Sequence, residues 1–224
     1  MGKRSGKAYA QIMIEFWNDT RLHNCKNPAI AISGGADSAI TLYLLAQQNI
    51  EAIRPYHLHN DTHAPKQIDA ANDVVNFVRS ATNVKIYDLE IKDITGPVES
   101  MIMPNFYMIE QMDATYNCDV YVSGSTANPP AKTLIKLGMD NEDRVLERDS
   151  YRKTLYTVDE SADRLYYRPF ANTNKKQLSK IYKTFKLEQT LFPLTLSCTQ
   201  TFTRTPCNDC WWCKERAWGF NNEN

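Results

Sequence analysis

The chain has 224 residues, 26 Lys and Arg against 26 Asp and Glu, and 42% hydrophobic residues. That length supports one domain with its own core and a small appendage. Balanced charge gives no whole-molecule field for nucleic acid, and no apolar run approaches the ~20 residues of a spanning helix, so a soluble protein away from membranes is expected.

The first ten residues are basic and lack the apolar centre of a secretory signal, which predicts a cytoplasmic location with reduced thiols. Residues 8–17 read as a helix. The run Ala29, Ile30, Ala31, Ile32 reads as a buried strand. It ends in Ser33-Gly34-Gly35-Ala36-Asp37-Ser38. Ala39, Leu42, Tyr43, Leu45 and Ala46 then recur at helical spacing, which predicts a helix over 39–48. Strand, glycine turn and helix aim backbone amides and a helix N-terminus at an anion. Gly34 and Gly35 permit positive φ and close approach of a phosphate. Ser33 and Ser38 add hydroxyls. Asp37 would repel phosphate and makes sense beside a magnesium ion or as a cap.

Further strands are expected at 51–57, 84–89 and 120–123, with helices at 65–80, 105–116 and 175–185. Ile68, Ala71, Val74, Val75 and Val78 share one face of the 65–80 helix. This alternation predicts an α/β fold with a doubly wound parallel sheet. Ligands bind such sheets beyond the carboxyl ends of the strands. The turn at Ser33, the loop from Asn60 to His63 and the loop Ser123-Gly124-Ser125 all fall there. Residues 141–163 carry interrupted charges of both signs and read as a solvated hairpin or lid.

Four of the six cysteines crowd the end of the chain: Cys198, then Cys207-x-x-Cys210-x-x-Cys213. Reduced thiols at that density point to a metal rather than disulfides. Four thiolates suit structural zinc, and close-set runs of this kind also hold iron–sulfur clusters. Cys25 and Cys118 read as small core residues. Trp211 and Trp212 read as packing residues of the knuckle. Residues 1–190 are assigned to the α/β unit and 191–224 to the cysteine segment.

The SGGADS segment resembles the SGGxDS loop of N-type ATP pyrophosphatases. With the cysteine spacing, the chain resembles the 7-cyano-7-deazaguanine synthase family. Further likeness lies in Tyr167-Arg168-Pro169-Phe170-Ala171-Asn172-Thr173-Asn174-Lys175, in Leu194-Thr195-Leu196-Ser197-Cys198, and in Lys214 through Phe220. Residues 60–63, 98–105 and 141–163 depart from that family's pattern.

The resemblance implies adenylation of 7-carboxy-7-deazaguanine by ATP, with Mg2+ present. Ammonia displaces AMP, and a second activation yields the nitrile. It implies Ser33, Gly34, Gly35, Asp37, Ser38 and Gly124 on the nucleotide, with Asp37, Ser38 and Lys175 in the chemistry. Asp61, His63 and Arg168 would face the acceptor. Zn2+ would sit on Cys198, Cys207, Cys210 and Cys213, and the protein would be a homodimer that does not bind nucleic acid. The alternatives are an adenylating enzyme with another acceptor (a different deazapurine, a nucleic-acid base or a sulfur-transfer partner) and a zinc-knuckle module that binds nucleic acid without catalysis.

Overall fold

A computed structural model describes residues 16–60, 66–93, 102–139, 157–161, 164–200 and 202–221. Two alternating sets of side chains on β1 (Ala29–Ala31) organise everything around it. Ile30 and Ile32 turn to one face and join the main core; Ala29 turns to the other. A strand presents alternate residues to opposite faces, so this pattern requires helices on both sides.

On the Ile30 face pack α1 (Ala36–Leu45), α2 (Gln67–Ala81) and α5 (Lys175–Thr184). They contribute Leu42 and Leu44, then Val74 and Val78, then Leu178 and Tyr182. On the Ala29 face packs α3 (Ile102–Tyr116) through Ile109 and Met112, against Tyr56 and Tyr121. Burying each such aliphatic side chain contributes about 1.5–3 kcal/mol.

The sheet runs β3-β2-β1-β5-β7-β6, with β4 also paired to β2. Here β2 is Ala52–His59, β3 Lys85–Ile86, β4 Glu90–Asp93 and β5 Tyr121–Ser123. All of these pair in parallel. β7 (Arg164–Arg168) lies parallel to β5, and β6 (Thr157–Ser161) closes the edge as an antiparallel hairpin with β7. The chain leaves β1 toward β2 on one side and resumes at β5 on the other. Strand order therefore reverses between β1 and β5, which is where open α/β sheets hold ligands.

Two sequence expectations change. The first helix begins at Ala36, not residue 39, because Gly35 is its N-cap. The single strand expected at 84–89 is broken into β3 and β4. Arg79 explains the break: its guanidinium donates to the carbonyls of Ile86 (3.0 Å) and Tyr87 (2.8 Å), which removes acceptors from the ladder. Of the hairpin expected at 141–163, residues 157–161 are described, and they pair with β7 as β6. The helix expected at 8–17 lies mostly outside the described residues, as does most of 141–163.

Two helices were not foreseen: α4 (Ala131–Leu137) and α6 (Trp211–Phe220). Among the described residues no helix is long and apolar enough to cross a membrane.

Candidate active site and cysteine centre

The turn after β1 keeps its backbone open. Gly34 has φ +80°, and an added Cβ would lie 2.5 Å from the carbonyl oxygen of Gln67. Both facts restrict the position to glycine. Gly35 then caps α1 with no side-chain hydrogen bond, so first-turn amides of the helix stay available to an anion. The Ser38 hydroxyl donates to the Gly35 carbonyl (3.1 Å) and stands 3.2 Å from the Ser33 hydroxyl. His57 steadies the strand end: its buried Nδ1 donates to the Ile32 carbonyl at 2.6 Å. Burial holds that ring below the usual histidine range, so it stays neutral.

β5 delivers Gly124 against this turn. A Cβ there would lie 2.7 Å from the carbonyl carbon and oxygen of Asp37 and from the Ser38 nitrogen. Gly124→Ala is expected to lower stability by about 1–3 kcal/mol through overpacking, read as the denaturation midpoint. An unchanged midpoint would mean that β5 does not press on α1.

Lys175 comes from far along the chain. Asn174 and Gln177 form a reciprocal capping box that starts α5 at Lys175. A cation in a first turn is opposed by the helix dipole. A carboxylate offsets that cost: the Lys175 ammonium lies against both oxygens of Asp37. The lysine side chain is 5% exposed and that of Asp37 21%. Thr126 donates its hydroxyl to Asp37 Oδ2 at 3.1 Å.

A cavity of about 310 Å³ opens at this point, within the size range of small-molecule sites. The turn, residues 123–126 and Lys175 form much of its wall, and Ser197, Thr199 and Trp212 contribute from the tail. Among the described lining residues, Asp37 is the only carboxylate and Lys175 the only cation.

The tail is tied to the turn. The Leu196 amide donates to the Gly34 carbonyl at 2.9 Å. Arg216 of α6 fixes the same segment, donating to Thr195 Oγ1 (2.6 Å) and the Phe192 carbonyl (3.2 Å) and stacking over the Phe192 ring at 3.9 Å. Beyond it the Sγ atoms of Cys198, Cys207, Cys210 and Cys213 lie within 4.8 Å of one another. All but Cys207 are buried. Backbone amides of Cys210 and Asp209 pull the Cys207 thiol down to about 6, whereas burial pushes Cys198 and Cys213 up. These four donors converge as a knuckle that fits a metal ion.

The structure thus gathers Ser33, Gly34, Gly35, Asp37, Ser38, Gly124 and Lys175 at one place, and the four tail cysteines at another. Arg168 ends β7 and is not among the described residues lining the cavity. Asp61 and His63 lie outside the described residues. Trp211 packs on Leu134 and Met139 as expected, but Trp212 also faces the cavity.

Sequence reasoning missed Thr126, Ser197 and Thr199 on the cavity wall and Glu215, whose Oε2 lies 3.8 Å from Lys175 Nζ. For Glu215 there was a usable signal: an acid two residues past Cys213, on a segment that had to fold back toward the turn. Thr126 follows the Ser123-Gly124-Ser125 loop and Ser197 and Thr199 flank Cys198, which places them near the two sites without marking them as cavity residues.

No family model matches the chain, and no curated protein does. Among solved structures, the chain matches an NMN synthetase from Francisella tularensis at TM-score 0.52 and 12% identity, over 92% of this chain and 80% of that one. It matches the U34-tRNA thiolase NcsA from Methanococcus maripaludis, which carries a 4Fe-4S cluster, at TM-score 0.51 and 12% identity, over 82% of this chain. The chain spans 64% of the thiolase's length. This likeness establishes the fold.

Proposed function

We propose that this protein uses ATP to convert an acceptor oxygen into an adenylate, with release of pyrophosphate. The observation that carries this reading is the meeting of Asp37 and Lys175 at the phosphate turn, on the cavity wall. The turn's amides and hydroxyls receive the β- and γ-phosphates. Asp37 is the carboxylate that would hold magnesium, an ion that takes one or two carboxylates beside phosphate oxygens and screens their charge. Lys175 follows the negative charge that develops between the α-phosphate and its leaving group. An acceptor oxygen attacks the α-phosphorus, the bond to pyrophosphate breaks, and a nitrogen nucleophile then displaces AMP. Placement and electrostatics supply the rate, and no covalent enzyme intermediate is needed.

For the acceptor we infer 7-carboxy-7-deazaguanine with ammonia, giving first the amide, whose oxygen a second ATP activates so that its loss leaves 7-cyano-7-deazaguanine. Support comes from the sequence resemblance that brackets the chain and from the tail residues beside the cavity. We infer zinc for the cysteine centre, because four thiolates within 4.8 Å suit a single ion. In a four-iron cluster each thiolate caps a separate iron, which spreads the donors. Sulfur transfer finds little support outside the quartet. Cys25 and Cys118 precede β1 and β5, at the sheet edge away from the cavity, and burial pushes both thiols up to about 11.

The test is incubation of the protein with ATP, magnesium, ammonium and 7-carboxy-7-deazaguanine, followed by mass spectrometry. AMP and the nitrile are expected together. ATP consumption without the nitrile would overturn the acceptor, and absence of ATP binding would overturn the adenylation reading.

A further inference from the structure

We propose that Glu215 is a positioning residue for Lys175, the anchor that keeps its ammonium in place when Asp37 turns to a bound cation. Lys175 stands between two carboxylates. Asp37 is in direct contact and lines the cavity. Glu215 Oε2 is 3.8 Å from Nζ, and its side chain is fully buried. The two acids are therefore not equivalent. The cavity-facing one is open to ligands and can exchange partners. The buried one is closed off from solvent, so withdrawing the lysine charge from beside it is strongly disfavoured.

The backbone supports the same pairing. α6 presses on the first residue of α5 so closely that a Cβ on Gly219 would lie 2.2 Å from Lys175 Cβ. Glu215 sits one helical turn before Gly219, on the side that meets Lys175. Its carboxylate is thus held by a rigid helix rather than by a loop. α6 begins at the cysteine centre, with Cys210 as N-cap and Cys213 in its first turn. The lysine is consequently held from behind by the same helix that the thiolates fix.

The pairing stands on geometry, whereas its role toward nucleotide rests on the proposed function above. Two measurements on the full chain separate them. The first is thermal unfolding of Glu215→Gln, Lys175→Met and the double variant. With Lys175 present, Glu215→Gln is expected to lower Tm. With Lys175→Met, the ammonium that offsets the burial of the Glu215 charge is gone, so Glu215→Gln is expected to raise Tm. A merely structural glutamate would not reverse the sign, and additive shifts would overturn the proposal.

The second is calorimetric titration with magnesium and ATP at a temperature where every variant is folded. Glu215→Gln is expected to bind about tenfold more weakly than the parent. Unchanged affinity with reversed Tm shifts would keep the pair and overturn its role toward nucleotide. A parent protein that does not bind ATP would overturn the proposed function and leave the pair standing.

Discussion

Asp37→Asn is expected to reduce pyrophosphate release about a thousandfold, equivalent to about 4 kcal/mol of barrier. The substitution is nearly isosteric. An asparagine oxygen can still accept from Thr126, whose hydroxyl lies 3.1 Å from the carboxylate. Lys175 retains Glu215 at 3.8 Å. The fold should therefore survive, with Tm changed by a few degrees at most. What disappears is the negative charge at the cavity wall, where no other described lining residue is acidic. Without it, on the proposed function, the triphosphate would lose its cation ligand, and Lys175 loses its nearest counter-charge. Release of pyrophosphate within threefold of the parent rate would remove Asp37 from the chemistry.

The largest effect on stability is expected from Cys210→Ser. Cys210 is buried, packs with Ala70, Leu196 and Cys198, and caps α6. A hydroxyl is a poor substitute for a thiolate on zinc. Metal content should fall from one zinc per chain to none, measured by mass spectrometry of the metal. Losing a structural ion costs on the order of 4 kcal/mol or more, which at about 2–4 °C per kcal/mol lowers Tm by about 8–16 °C. Cys118→Ser, outside the quartet, should keep full metal. A zinc-loaded Cys210→Ser protein would exclude four-thiolate ligation. A brown protein with charge-transfer absorbance would replace zinc by an iron–sulfur cluster.

The parts of the fold that were legible from sequence share one property: their pattern is local. The run from Ala29 to Ile32, the two glycines and the spacing of Val74, Val75 and Val78 each state their own geometry. The cysteines do the same through chemistry rather than periodicity. What stayed hidden depends on distant residues. β7 carries arginine at both ends and adjacent tyrosines, which obscures a strand. Its place comes from Tyr167, buried at 1% exposure against Phe16 and Trp17, and from Tyr166 tilted on Tyr121 at 5.8 Å between ring centroids. The split between β3 and β4 depends on one guanidinium from α2.

The candidate site divides along the same line. Its glycine turn is contiguous and could be read directly. Lys175 was placed by resemblance, and the structure supplies the physical reason: a capping box starts α5 at this residue, on the same face of the sheet as Asp37, 138 positions earlier in the chain. Glu215 and the tail's share of the cavity wall needed the fold itself.

The hydrogen bond from Leu196 to Gly34 bears on how such a protein can diverge. The cysteine segment shares a seam with the glycine turn, so a change in one must be matched in the other. A descendant that reshaped its tail for a new partner molecule would have to preserve a donor opposite that glycine carbonyl. Recombination that exchanged tails between lineages would arrive with half a wall already cut to a different turn.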